Sequence, residues 1–333
     1  MKRKTYLANA IDIADEKAKY DSEARKLISD RTILAWIIKY TVKELKSFSV
    51  ERIASAIEGE PEVSEIPMHP GRKKPDAIIG MATDDKVPNE GEILYDIRFY
   101  VIVPGGERIK LILDVEIQKD YYPGYDLVTR AVFYSARMLS AQLNTEFTVD
   151  DYDDVNKVYS IWICVESPKY AADTITEYCM GVNNIFGNFT GTVRYDLQSI
   201  VVICLDENSW ERKATALHGL LGTLFSDRLT PEQKEDILSK EYGIKMEIKI
   251  KEGMNQMCNL SDAIEERGIA RGEKRKLIEL VCRKLRKGKS FSVIVDELEE
   301  DEESLMDIYN EALKAAPDYD EDKVYKLLCK VSL

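Results

Sequence analysis

Leu111-Ile112-Leu113-Asp114-Val115-Glu116-Ile117-Gln118 is the stretch on which the reading of this chain turns. Side chains on a strand alternate between faces, so Asp114, Glu116 and Gln118 share one side while Leu113, Val115 and Ile117 share the other. The apolar side belongs to a core. The opposite side carries two carboxylates and an amide within a strand that is otherwise hydrophobic. Just upstream, Ile93 to Val103 reads as a second strand, joined to the first through Pro104-Gly105-Gly106-Glu107. That linker is hairpin punctuation, because glycine takes the positive φ such turns need. Antiparallel pairing would bring Asp96 beside the Asp114/Glu116 face and form a cluster suited to a hard divalent cation, Mg²⁺ with Mn²⁺ as its substitute. Unpaired buried charge is costly, so three acids on facing strands flanked by Leu, Ile and Val are hard to dismiss as surface residues.

The run Asp96, Glu116-Ile117-Gln118, Tyr121-Tyr122-Pro123-Gly124-Tyr125 and Arg130-Ala131-Val132-Phe133-Tyr134 resembles the PD-(D/E)XK nuclease superfamily. More narrowly, it looks like the PD-(D/E)XK nuclease family transposases, related to the recombination-promoting nucleases. The likeness runs from about Ser29 to the C-terminal helices and is densest between Asn89 and Gln142. Two departures stand out: Gln118 occupies the motif's lysine position, as it does in that branch, and Tyr95 rather than proline precedes Asp96. The resemblance implies an α/β, restriction-endonuclease-like core with a mixed central sheet flanked by helices. It also implies a phosphodiester hydrolase in which Asp96 and Glu116 are metal ligands and the Ile117 carbonyl completes the protein's share. Asp114 points the same way as Glu116, as a further ligand or a partner behind the ligands. Gln118 can orient a water by hydrogen bonding but brings no charge. A first-helix glutamate often faces the metal in that superfamily; Glu44 is the candidate here, against the plain alternative of a solvated side chain. Pro75-Asp76 is literally a PD dipeptide, but Asp96 is preferred because it lies within a strand paired to the Glu116 strand.

From Tyr125 to Gln142 the apolar spacing predicts a helix whose Arg130, Tyr134 and Arg137 fall on one face. Arg130 and Tyr134 would meet a phosphate there. Tyr122, Tyr125 and Arg137 are candidates for a substrate groove, the alternatives being a packed Pro-Gly corner and a cation stacked on a helix surface. Ile33, Leu34, Ile37, Ile38, Val42 and Leu45 predict an earlier helix capped by Asp30. Glu60 to Glu92, rich in proline, reads as loop with at most a short strand at Ala77-Ile78-Ile79. Val158–Val165 is expected as a buried strand and Gln198–Leu205 as another. Helices are expected from about Glu211 to Phe225 and after Thr230-Pro231-Glu232-Gln233.

The chain has 333 residues, 44% of them hydrophobic, enough for one large domain with a small appendage. The division expected is residues 1–261 for the nuclease-like domain and 262–333 for a charged helical module broken at Gly268, Gly272 and Gly288. No run approaches the ~20 apolar residues of a membrane span, and Met1-Lys2-Arg3-Lys4 leads into polar sequence, so a soluble cytoplasmic protein is expected. Six scattered cysteines without a C-x2-C pair predict reduced thiols. Two histidines, His69 and His218, argue against a histidine-rich metal centre or a Ser-His triad. A net charge of −13 sits awkwardly with nucleic acid, but ten basic residues cluster between Arg267 and Lys289, followed by an acidic run from Asp296 to Glu303. The basic helix could line DNA, or the module could dimerise or pack.

The function expected from motif and resemblance is a Mg²⁺-dependent DNA endonuclease of mobile-element, recombination or defence type, working as a homodimer without a membrane partner. The competing reading is a nucleic-acid-binding or regulatory protein that keeps the fold with little or no cleavage. RNA as substrate stays open.

Overall fold

The computed structural model describes residues 18–63, 84–87, 91–104, 110–300 and 302–330. His69, Asp76, the Ala77–Ile79 segment and the Gly105–Glu107 part of the expected hairpin lie outside them. The chain opens with α1 (residues 18–28), α2 (Arg31–Thr41), α3 (Val50–Ala56) and β1 (Ile57–Val63). Strands β2 (Asp84–Val87), β3 (Gly91–Leu94), β4 (Ile97–Ile102) and β5 (Lys110–Asp120) follow, then α4 (Leu127–Ser140) and β6 (Lys157–Glu166). Next come β7 (Thr174–Cys179), β8 (Gln198–Cys204), α5 (Ser209–Arg212), α6 (Ala216–Phe225) and α7 (Pro231–Tyr242). The last elements are α8 (Ile248–Arg286), α9 (Phe291–Leu298), α10 (Glu302–Leu313) and α11 (Glu321–Lys330).

The architecture is α/β: an open, mixed six-stranded sheet in the order β1-β4-β5-β6-β8-β7, flanked by helices. Strands β5, β6 and β8 run parallel to one another, while β1, β4 and β7 join antiparallel. The central strands β5 and β6 are buried on both faces, which is why their sequences are nearly continuous in apolar residues. Helix α4 covers one face, against β6 and β8, with Leu127, Ala131 and Met138 packed over Ile112, Val158 and Ile200. It starts at Asp126, whose side chain accepts the N–H groups of Val128 and Thr129, and α2 is capped in the same way by Asp30. Thr230 and Gln233 form the reciprocal capping box at α7.

Four expectations need correction. Ile93–Val103 is not one strand: β3 ends at Leu94 and pairs with β2 in a separate two-stranded sheet, and β4 begins only at Ile97. The reason lies at Asp96, where side-chain carboxylates replace the main-chain ladder. Glu60–Glu92 is not all loop, since part of β1 and all of β2 fall within it. Pro61 is tolerated because β1 is the edge of the sheet and its pairing with β4 slips between Glu58 and Glu62. The helix expected over Glu211–Phe225 is two helices, separated at Lys213, whose φ of 45° ends α5 in the left-handed region. Finally, Gly268 and Gly272 do not interrupt α8, a continuous helix of 39 residues; Gly288, at φ +69, follows its end. A glycine costs a helix only ~1 kcal/mol, which is too little to stop a long one.

The chain divides into two compact units, Asp21–Cys258 and another that takes in Asn259–Leu333. The second has its own core, built on Ile278, Val281, Cys282, Leu285, Ile294 and Ile308. Among the described residues no helix is long and apolar enough to cross a membrane. Cys164, Cys179, Cys204, Cys258 and Cys282 are free thiols.

Candidate active site on the helix-covered face of the sheet

Asp114 and Glu116 lie two residues apart on β5 and therefore on one face, the one under α4. The ladder between β4 and β5 pairs Ile97 with Val115 and Arg98 with Asp114, and one step before it Asp96 stands across from Glu116. There the ordinary ladder gives way. The Asp96 N–H donates to Glu116 Oε1 at 2.9 Å, and the Ile117 N–H donates to Asp96 Oδ2 at 3.0 Å. Two side-chain carboxylates thus take the place of two main-chain carbonyls, which ends β4 and fixes both acids against each other.

Asp96 Oδ1 accepts from Arg25 Nη1 at 3.0 Å, an ion pair in which both side chains are largely buried. Asp114 is fully buried and its Oδ2 accepts from Ser160 Oγ at 3.2 Å; Ser160 Oγ in turn accepts from Trp162 Nε1 at 2.8 Å. Asp114 Oδ1 is buried without a donor among the described residues. Glu116, 4% exposed, lies within hydrogen-bonding reach of Asp114, a contact that becomes a hydrogen bond only when one of the two carboxyls holds a proton. Burial, first, and the neighbouring acids Asp96 and Asp114, second, hold the Glu116 carboxyl well above the usual carboxylate range. Burial pushes Asp114 up to about 8. It also raises Asp96, against the pull of Arg25.

On α4, Arg130 donates from Nη2 to the Tyr134 hydroxyl at 2.7 Å and from Nη1 to the Tyr125 hydroxyl, and its guanidinium lies 5.5 Å from the Trp162 ring centroid. Its charge acts on both Asp96 and Glu116. The Tyr134 hydroxyl is pushed up to about 12 by burial, with Glu116 adding to the effect. Asp96, Asp114, Glu116, Arg130 and Tyr134 are therefore brought together, with Tyr125 tied in through Arg130. Gln118 is half-buried on the same face as Glu116, level with Cys164 on β6. Tyr122 is 70% exposed in the connection that carries Gly124, which needs its glycine for a φ of 100°.

Two candidates fall elsewhere. Glu44 accepts from the Tyr159 hydroxyl at 2.6 Å and from Lys157 Nζ at 3.1 Å. Tyr159 neighbours Ser160 on β6, so it points to the other face, and Glu44 is separated from the carboxylates by the sheet. Arg137 shares the polar stripe of α4 but is buried at 5% exposure, which removes its guanidinium from any surface groove.

Three members of the site carry no motif. Arg25 sits in an amphipathic stretch beside Ala24 and Ile28, where an arginine reads as a surface residue, yet it is 5% exposed. Ser160 lies in an apolar strand; the register that sets it beside Asp114 is its only signal. Arg98, directly across the ladder from Asp114, is buried with its guanidinium 5.1 Å from the Tyr95 ring centroid.

The side-chain donors of the three acids are all oxygens, and the buried Asp114 Oδ1 lacks a partner among the described residues, a donor chemistry of the kind hard divalent cations take. The acids are also held by internal partners, and among the described residues no group of three or more His, Cys, Asp or Glu side chains is placed so that it could hold a metal ion as the side chains stand. No protein-family model, curated protein or solved structure matches the chain.

Proposed function

We propose that this chain is a metal-dependent endonuclease of the PD-(D/E)XK type that hydrolyses phosphodiester bonds in DNA and acts as a homodimer. The single observation that carries the reading is the convergence of Asp96, Asp114 and Glu116 from two neighbouring strands on one buried point. Buried carboxyls with raised proton affinity exchange those protons for a cation, so loading such a site releases protons. Asp96 and Glu116 would hold Mg²⁺, or Mn²⁺ in its place, with Asp114 beside them. Such an ion, when bound there, would supply charge relief on the phosphorus and a more acidic water. Gln118 would orient that water through its amide, and Arg130, kept in place by Tyr134 and Tyr125, would carry charge on a phosphate oxygen.

Nicking of supercoiled plasmid with and without Mg²⁺ tests the reading. Asp96→Ala and Glu116→Ala should each slow cleavage on the order of a hundredfold or more, since several kcal/mol of charge stabilisation are lost and each 1.36 kcal/mol is a factor of ten. An RNA duplex offered alongside separates the two nucleic acids. A second reading, a nucleic-acid-binding protein that keeps the fold without cutting, is favoured by the Arg25–Asp96 ion pair, which already neutralises one intended ligand. Binding of DNA without nicking, indifferent to both substitutions, would decide for it.

A further inference from the structure

Gln118 is a neutral amide, so that position orients by hydrogen bonding and brings no positive charge to the attacking water, which leaves Arg130 as the cation so far assigned to the phosphate. Within the site, Arg25 is 5% exposed and touches Asp96 Oδ1 through Nη1 at 3.0 Å. The other oxygen of the same carboxylate accepts the N–H of Ile117, the residue between Glu116 and Gln118. One carboxyl group therefore separates the Arg25 guanidinium from the backbone that carries Gln118. The remaining nitrogens of Arg25, Nε and Nη2, are buried and have no acceptor among the described residues. These two form one edge of the guanidinium, with N–H bonds pointing in parallel, the arrangement that takes up two oxygens of a carboxylate or phosphate at once. Leaving such donors unpaired in the interior is costly, because each has given up water without a replacement. Tyr134 and Tyr125 occupy Arg130, whereas this edge of Arg25 is uncommitted.

We propose that Arg25 supplies the charge missing at position 118, its Nε/Nη2 edge holding the non-bridging oxygens of the scissile phosphodiester while Nη1 keeps Asp96 in place. The assignment deepens the nuclease reading and rests on it for the cleavage step, although the phosphate contact itself does not. Both nitrogens are shielded from water, so an oxyanion placed against them would meet donors that carry no hydration to strip.

The test has two arms. In the first, plasmid nicking in Mg²⁺ compares the unaltered protein with Arg25→Ala, Arg25→Lys and the double variant Arg25→Ala/Gln118→Lys. Arg25→Ala should lower turnover by about a hundredfold, the usual cost of removing one donor to a developing charge. Arg25→Lys should recover part of that, free guanidinium ion should partly rescue Arg25→Ala, and Gln118→Lys should restore cleavage in the Arg25→Ala background. In the second arm, affinity for a short duplex is measured against salt without divalent ions. Arg25→Ala should flatten the slope of log K against log[salt] by about 0.9, one phosphate contact.

An Arg25→Ala protein that cuts normally, or loses activity with no rescue by lysine, guanidinium or Gln118→Lys, overturns the assignment and leaves the nuclease reading intact. So does an unchanged salt slope. Absence of nicking by the unaltered protein, with a slope that still falls in Arg25→Ala, sinks the nuclease reading and keeps the phosphate contact.

Discussion

Asp96 does with its side chain what its neighbours do with their main chain, and the cost is concentrated in the acids around it. In protein stripped of divalent ions, burial holds the proton on Asp114 up to about pH 8, and burial with the neighbouring acids holds Glu116 well above the usual carboxylate range. An unfolded Asp or Glu releases its proton near pH 4. Between these limits the native state binds more protons than the unfolded one, so stability is fully present below about pH 4 and is lost as pH rises through the native values. Thermal melts in chelator should therefore show a midpoint that falls from pH 5 to pH 8.5, as stability drops by an amount on the order of a few kcal/mol. Asp114→Asn should flatten that fall; a midpoint that rises with pH and ignores the substitution would contradict the proton sharing. Asp96 and Glu116 were legible as partners because period-two alternation and a glycine turn fix which side chains share a face. Arg25 was not, since nothing in helical spacing distinguishes an arginine that reaches inward from one that reaches outward. Glu44 falls away from the carboxylates for a related reason: it lies in the turn after α2, and local sequence does not say which face of a distant sheet that turn approaches.

At the scale of elements, the central strands and the capped helices were readable because burial and capping write themselves into local sequence. Short, exposed pieces were not. Strand β7 is largely exposed and holds its place through pairing with β8, a long-range property. The break between α5 and α6 has a similar origin: a Cβ on Gly222 would stand 2.4 Å from the Trp210 nitrogen and 2.7 Å from the Ser209 carbonyl carbon, both backbone atoms that cannot move aside. Gly222→Ala should thus destabilise by about 1–3 kcal/mol, as overpacking does. In α8, by contrast, a Cβ on Gly272 meets nothing within 4 Å, and Gly272→Ala should stabilise its helix by up to about 1 kcal/mol. Urea titration of the two variants checks the pair, and a Gly222→Ala protein as stable as the parent would mean that α5 and α6 do not meet so closely.

At the scale of the whole molecule, a net charge of −13 means that the nucleic-acid binding proposed above would have to come from local patches. The basic stretch singled out in the sequence is partly spent within its own unit. Arg275 pairs with Asp322 at 3.5 Å and Arg286 with Glu321 at 2.7 Å, while Lys284 and Lys289 both reach Glu297 and Arg283 reaches Glu279. Lys274, Lys276 and Lys287 are exposed. A chain ending at Cys258 keeps the buried Ile250, Met254 and Met257 of α8 and should melt cooperatively. Its duplex affinity should lose about 0.9 in salt slope for each phosphate the missing unit touched, and at most a few such steps; an unaltered slope would assign that unit to assembly instead. The carboxylates also carry their own lamp. Of the three tryptophans, Trp162 alone is fully buried, and its ring is wired through Ser160 to Asp114 and capped by Arg130. Any change of charge at that aspartate alters the field across the indole, so one emission trace reads both the occupancy of the acids and the integrity of the sheet beneath them.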